Sequence, residues 1–313
     1  MKESIAVLLA AYNGSRYIEE QISSILSSVV SIPVSIEIGL DPSDDGTERI
    51  LVNIAGESVR VNCNQKPSGG ACQNFSRLVD HALTLDDKYY AFSDQDDLWD
   101  ECKLAEGLSK LRDMENQYGQ EIPLLVFSDS RLVDENLNTF APSFMAAEGL
   151  NPSNIYEFSK LTIQNVGQGC TFLFNKALLE LASPIPENAR MHDHWIMMVA
   201  CAFGKIAYLD KPLLSYRQHS SNVLGASDYS VFGAIDRFIN QAGSISHSLK
   251  KSQCQAGSFA FQYKSRLPAE RYEFLVEFSK VSEKKFFSRK MFCLKHRLKM
   301  SGKLRTVGLY VCI

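Results

Sequence analysis

The sequence predicts an α/β fold: a mostly parallel sheet with helices on both faces. Three observations carry the prediction. Apolar runs of strand length recur through the first half of the chain. Between them lie segments whose apolar residues repeat at helical spacing, and strand–helix alternation of this kind builds sheets covered on both sides. Polar turns follow the first, second and fourth runs, where such sheets place their ligands.

Taken in order, residues 5–10 read as the first strand. Ile18, Ile22, Ile25, Leu26 and Val29 then share one helical face. Residues 34–40 and 59–62 are the second and third strands. Phe75, Leu78, Val79 and Ala82 form the next apolar stripe, and 89–93 the fourth strand. Leu104, Leu108 and Leu111 repeat the helical pattern, with Asp100 as its N-cap. A fifth strand is expected at 124–127, a sixth at 170–174 and a helix at 193–202. Residues 205–209 and 213–217 read as two short strands joined across Asp210-Lys211-Pro212. Beyond 226 the chain reads as helical and increasingly basic. The expected division is therefore 1–225 for the α/β domain and 226–313 for a helical extension.

Composition narrows the class. A chain of 313 residues with 45% hydrophobic and 22% charged residues is long enough for a sizeable core and too apolar for disorder. No apolar run approaches the roughly 18–20 residues that span a bilayer. The start of the chain lacks a basic-then-apolar signal, so export is not expected. None of the eight cysteines forms a Cys-x-x-Cys pair, so they read as reduced packing residues of a cytosolic protein and not as a zinc site. Charge is unevenly placed. Residues 280–305 hold ten Lys/Arg against Glu283 alone, a net of +9; with −3 for the whole chain, the remainder carries −12. If that segment is helical, Phe287, Met291, Leu294 and Leu298 share a stripe, with Lys284, Lys285, Lys295, Lys299 and Lys303 around the other side. That is the pattern of a helix lying on an anionic surface, although a packed helix with a solvated basic face has the same composition. No nucleic-acid-binding module accompanies the charge, and nucleic acid is not expected as a partner.

The chemistry concentrates in Asp94-Gln95-Asp96-Asp97, directly after the fourth strand. Clustered carboxylates repel one another unless a divalent cation lies between them, and Mg²⁺ or Mn²⁺ joins one or two carboxylates to substrate phosphates. The same run also fits an acidic turn that caps a helix. Asp41, at the end of the second strand, could accept the imide N–H of a pyrimidine or simply close an Asp/Pro/Gly turn. Tyr12-Asn13-Gly14 could approach a nucleotide through its backbone or be a plain connecting loop. Asp193, opening an apolar helix, could be a general base or an N-cap. His192 and His194 flank it, and alternate neighbours of this kind tend to point apart. Tyr216-Arg217-Gln218-His219 could bring a cation and an imidazole to a diphosphate, or end a surface strand.

Together these pieces resemble the family 2 glycosyltransferases of the GT-A fold, and within them the bacterial rhamnosyltransferase-like branch. The resemblance spans residues 3–225. It rests on residues 7–14 (Val-Leu-Leu-Ala-Ala-Tyr-Asn-Gly), on Asp41 with Ser43, Asp45 and Thr47, and on residues 92–99 (Phe-Ser-Asp-Gln-Asp-Asp-Leu-Trp). Gly169-Cys170-Thr171, His192-Asp193-His194-Trp195 and Tyr216-Arg217-Gln218-His219 complete it. The chain departs from the family where Leu40 and Pro42 flank Asp41, since the family usually has an aspartate and a glycine there.

The resemblance implies a metal-dependent, inverting transfer of a sugar from a nucleoside diphosphate. Asp193 corresponds to the catalytic base, Asp41 to the base-binding acid, and Asp94 and Asp96 to the Asp-x-Asp that holds Mg²⁺ or Mn²⁺. Tyr12, Asn13, Arg217 and His219 fall where nucleotide and diphosphate contacts are expected. The branch implies dTDP-rhamnose as donor, with UDP-hexoses as the alternative. It also implies a lipid-diphosphate-linked glycan as acceptor, in O-antigen or capsule synthesis on the inner face of a bacterial cytoplasmic membrane. A nucleotidyltransferase or phosphohydrolase using the same carboxylates, and a non-catalytic glycan- or nucleotide-binding protein, are the competing readings.

Overall fold

The computed structural model describes residues 2–219 and 233–313, with side chains from 247 onward in the second stretch. The expected domain boundary at 225/226 lies outside the described residues. Two compact units are present. The first holds residues 2–148, 167–185 and 191–219; the second holds 149–166, 186–190 and the remaining helices.

The first unit is built on one mixed sheet. Its strands are β1 (Lys2–Ala11), β2 (Val34–Leu40), β3 (Val59–Cys63), β4 (Asp87–Ser93), β5 (Leu98–Trp99), β6 (Leu124–Val133), β7 (Thr139–Ala141), β8 (Leu173–Asn175) and β9 (Lys205–Arg217). Their order is β3-β2-β1-β4-β8-β6-β9-β5, with β7 beside β6. β3, β2, β1 and β4 run parallel; β8 is antiparallel to both its neighbours, and β6 and β9 are again parallel.

The strand residues explain this order. β1 is buried on both faces from Ser4 to Leu9, as a central parallel strand must be. On one face Ile5, Val7, Leu9, Tyr89 and Ala91 pack with Ile18, Ile22 and Ile25 of α1 (Ile18–Leu26), Leu51 of α2 (Thr47–Ile54) and Leu104, Leu108 and Leu111. On the other face Phe92 meets Phe75 of α3 (Ala71–Ala82), centroids 5.2 Å apart, and Phe174 at 5.0 Å. Burying each of these large side chains contributes about 1.5–3 kcal/mol relative to exposure.

Several expectations are corrected. α1 stops at Leu26, and Leu26 and Val29 are exposed instead of joining the apolar face. Asp100 does not cap α4 (Lys103–Tyr118); its carboxylate takes a bidentate pair of bonds from Arg131 (2.7 and 2.6 Å). The anticipated strand at 170–174 begins as a 3-10 turn at Gly169–Thr171, and β8 follows. The two short strands at 205–217 are one strand: its register against β6 slips between Leu209 and Pro212, so Asp210 and Lys211 form an irregularity within a continuous β9.

The remaining helices of this unit are α5 (Phe144–Ala147), α7 (Lys176–Ala182) and α8 (His192–Phe203). In the second unit lie α6 (Phe158–Ile163), α9 (Gly233–Gln262), α10 (Ala269–Ser279), α11 (Phe286–Lys295) and α12 (Lys303–Cys312). Phe274, Phe278 and Phe292 stack in near-parallel pairs with centroids 5.9–6.2 Å apart, fixing α11 on α10. Leu298, expected on an exposed stripe, is fully buried.

Candidate active site

Parallel strands deliver their following loops to one edge, and here the loops after β1, β2 and β4 meet. Asn13 adopts a left-handed conformation (φ 46°), which Asn tolerates better than most residues. Its backbone N–H donates to Ser43 Oγ (3.0 Å), and its side chain accepts from Asp44 N (3.0 Å). Gly14 N donates to Thr47 Oγ1 (2.8 Å), and Ser15 N to Asp45 Oδ2 (2.9 Å). Burial pushes the Asp45 carboxyl up, but the bonds from Thr47 and Ser15 outweigh it and bring its pKa down to about 2.

Gln95 clasps the first loop to the third. Its amide oxygen accepts from Tyr12 N and its amide nitrogen donates to Tyr12 O, both at 2.9 Å. A Cβ on Gly14 would come within 2.2 Å of Gln95 Oε1 and would displace the Gln95 amide from its clasp. Tyr12 leaves its ring exposed at the rim.

Asp41 closes β2 and is buried. Its carboxylate accepts from Asn64 Nδ2 (2.8 Å) and from the backbone and hydroxyl of Ser68 (3.1 and 2.5 Å). It therefore organises the 64–70 loop, with Ser68 N shared between both carboxylate oxygens.

The three aspartates after β4 differ in surroundings. Asp94 is partly exposed, and its pKa rises to about 7 through burial and then through the charges of Asp96 and Asp193. Asp96 Oδ2 lies 2.9 Å from His219 Nε2; burial raises its pKa while His219 and Arg217 pull it back. Asp97 is wholly buried, and burial together with Asp96 and Asp94 drives its pKa well up. Its Oδ2 accepts no hydrogen bond from a described residue. Beneath it Lys103 packs 3.4 Å over the Trp99 ring, with burial lowering its pKa to about 7.

Arg217 is 3% exposed. Its guanidinium donates to the Asp96 and Glu135 carbonyls (both 2.9 Å), pairs with Glu20 and lies over the Tyr17 ring. In this arrangement it braces the acidic loop from behind.

Asp193 lies in the first turn of α8, where Met191 is the N-cap residue. Its Oδ1 accepts from His194 N (2.5 Å) and its Oδ2 from Gly169 N (3.2 Å). A Cβ on Gly169 would stand 3.2 Å from Asp193 Cβ and 2.8 Å from His192 Nε2, so a glycine lets the turn before β8 reach the helix. The effect of Asp193 on Asp94 puts the two carboxylates in one electrostatic site.

The carboxylates suit a hard divalent cation. Ligand atoms of Asp94, Asp97 and Cys170 fall within 4.8 Å of one another. The thiol is the poorest of the three as a ligand: burial and two neighbouring carboxylates raise its pKa well up and keep it protonated. Oxygen donors from Asp94 and Asp97 remain, which suit Mg²⁺ or Mn²⁺; Asp96, expected as a ligand beside Asp94, is not in this group and faces His219.

His192 is a core residue. It stacks on Phe75 (3.8 Å) and meets Phe92 edge-on (4.9 Å), and burial lowers its pKa to about 3. The unfolded chain then binds a proton below about pH 6.5 that the folded chain refuses until about pH 3, so stability falls as pH drops through this window. By pH 5 the loss should be about 2 kcal/mol from this residue alone. Urea unfolding at pH 7 and pH 5 is expected to show that difference, and His192→Leu to remove it; equal slopes in both proteins would refute the assignment.

No family model matches the chain. Among solved structures, TarS 1–349 from S. aureus in complex with UDP-GlcNAc covers the whole chain and 90% of its own, at TM-score 0.55 and 15% identity. Glucosyl-3-phosphoglycerate synthase from Mycobacterium tuberculosis, solved with Mn²⁺, UDP and glucosyl-3-phosphoglycerate, matches 82% of this chain and 79% of its own at TM-score 0.51 and 16% identity. The mannosyltransferase PcManGT from Pyrobaculum calidifontis, solved with GDP-Man and Mn²⁺, matches 99% and 87% at 0.52 and 12%. At these identities the likeness shows the fold. The sequence itself is 30% identical over 234 residues to the dTDP-rhamnosyl transferase RfbG of Shigella flexneri, covering 70% of this chain and 74% of that one. The chain belongs to the GT-A glycosyltransferases.

In this glycosyltransferase the structure brings Tyr12, Asn13, Asp41, Asp94, Asp96, Arg217 and His219 to one edge of the sheet, with Asp193 electrostatically coupled to Asp94. Sequence reading passed over Gln95, Asp97, Cys170 and Lys103. For Gln95 and Asp97 the signal was their place inside the Asp94–Asp97 run. Cys170 stood in the quoted Gly169-Cys170-Thr171 motif, whereas Lys103 gave no signal, because burial beside a distant carboxylate leaves no mark on local pattern.

Proposed function

We propose that this glycosyltransferase moves a sugar from a nucleoside diphosphate to a hydroxyl by a single inverting displacement. The observation that carries the reading is that Asp193 accepts from Gly169 N, next in the chain to Cys170, whose thiol lies within 4.8 Å of the Asp94 and Asp97 carboxylates. Asp193, oriented by two backbone N–H groups, accepts the proton of the attacking hydroxyl. Asp94 and Asp96 would hold Mg²⁺ or Mn²⁺, and the ion would supply positive charge to balance that of the diphosphate. His219 fixes the Asp96 carboxylate, and Arg217 locks the loop that carries it. Asp41 is the base-binding acid of this reading, and Tyr12 and Asn13 border the same crevice.

Similarity to a dTDP-rhamnosyl transferase favours dTDP-rhamnose as donor over UDP-hexoses. The acceptor in this reading is a lipid-diphosphate-linked glycan of bacterial surface polysaccharide synthesis, met by a peripheral enzyme at the cytoplasmic membrane. No helix among the described residues is long and apolar enough to cross a membrane. Thermal unfolding in the presence of Mn²⁺ and dTDP-, UDP- or GDP-sugars tests the donor. A ligand at 100 times its Kd should stabilise by about 2.7 kcal/mol, and dTDP-rhamnose is expected to do so. Protection by a UDP-hexose alone would replace the donor, and protection by none would overturn the reading.

A further inference from the structure

We infer that α11 and α12 together form a docking face for a bilayer rich in anionic lipid. The inference deepens the lipid-linked acceptor reading and rests on it for its purpose. Phe287, Met291 and Leu294 lie at i, i+4 and i+7 on α11 and are 81, 63 and 59% exposed. Leu304, Val307 and Val311 repeat the arrangement on α12 at i, i+3 and i+7, each more than half exposed. Such rows of large exposed apolar side chains need a partner, since scattered exposure is ordinary and alignment on one face is not. Phe286, Val307 and Val311 also line a groove of about 460 Å³ with Lys290 and Tyr310.

Charge selects the partner. Residues 280–305 carry a net of +9. Glu277 absorbs part of it by pairing with Lys284 and Lys295, and Lys290 donates to the Tyr310 carbonyl. Lys285, Arg297, Lys299 and Lys303 are exposed, at the start of α11, in the segment between the two helices and at the start of α12. Exposed apolar rows with exposed cations at the helix starts and in the segment between them match the boundary between anionic headgroups and acyl chains. Each cation near such a surface is worth roughly fivefold in partitioning. A single stripe running on to Leu298 is not what forms, because that side chain is in the core; α12 supplies the second row in its place.

Flotation of the full chain with vesicles tests the inference. The protein is expected to rise with phosphatidylcholine vesicles containing phosphatidylglycerol, and to stay below with phosphatidylcholine alone or in high salt. Phe287→Ser combined with Met291→Ser and Leu304→Ser should reduce binding at least tenfold, and Arg297→Glu with Lys299→Glu should do the same. All five side chains are exposed, so an unchanged melting curve verifies the fold. Wild-type protein that ignores anionic vesicles, or variants that float like wild type, would overturn the inference. So would a concentration-dependent dimer that the serine variants abolish, because the rows would then face a second copy. Donor protection by sugar nucleotide, read on the same proteins without vesicles, is independent of this face. Its loss would count against the glycosyl-transfer reading alone.

Discussion

Asp193→Asn is expected to lower turnover by 10²- to 10⁴-fold while leaving sugar-nucleotide binding nearly unchanged. The carboxylate stands at the start of α8, where the bonds from His194 N and Gly169 N aim it and the charge of Asp94 lies close by. An amide keeps one acceptor for His194 N and nearly the same volume, so the helix should survive, while the 3.2 Å bond from Gly169 N is lost. What disappears is the capacity to take a proton from the acceptor hydroxyl. Steady-state rates beside donor protection in thermal unfolding separate the two roles. Turnover within tenfold of wild type would place the base elsewhere.

Asp96→Asn should have the second-largest effect, and it separates two roles of that side chain. If Asp96 serves only to hold His219, an amide oxygen can still accept from the imidazole across 2.9 Å, and activity should fall little. If it binds the cation, loss of a charged oxygen donor should weaken Mn²⁺ binding and turnover by 10²-fold or more. It should also ease ionisation of Asp94, whose pKa of about 7 is held up in part by the Asp96 charge. The pH dependence of Mn²⁺ affinity reads this directly. In wild-type enzyme the affinity should rise about tenfold from pH 6 to 8 as Asp94 loses its proton. In Asp96→Asn that rise should move to lower pH.

Much of the fold was legible in the sequence because parallel strands buried on both faces carry apolar runs, as β1 does from Ile5 to Ala11 and β4 from Tyr89 to Phe92. The helices that cover them declare themselves by spacing, as Ile18, Ile22 and Ile25 do. The failures share a cause. Asp100 reads as a cap locally, but Arg131, 31 residues away, takes its carboxylate. Asp210-Lys211-Pro212 reads as a turn, but pairing with β6 resumes beyond it and keeps one strand. Leu298 fits a surface stripe by periodicity until the chain turns at Arg297 (φ 48°) and draws it inward.

The candidate site divides in the same way. Asp41, Asp94, Asp96 and Asp193 stand out because carboxylates at strand and helix ends are conspicuous in a linear string. Gln95 does not stand out, since its importance is a clasp on Tyr12 across 83 residues. His192 stands beside Asp193 in the chain, and only the rings of Phe75 and Phe92 show it to be a neutral packing residue.

A crystal grown with Mn²⁺ and dTDP-rhamnose tests the central claim most directly, by the position of the manganese anomalous signal. The account predicts a peak within coordination distance of Asp96 and Asp94 oxygens, on the side facing Asp193, with the diphosphate completing the shell. A bound nucleotide with no peak there, and Asp96 still joined only to His219, would contradict it.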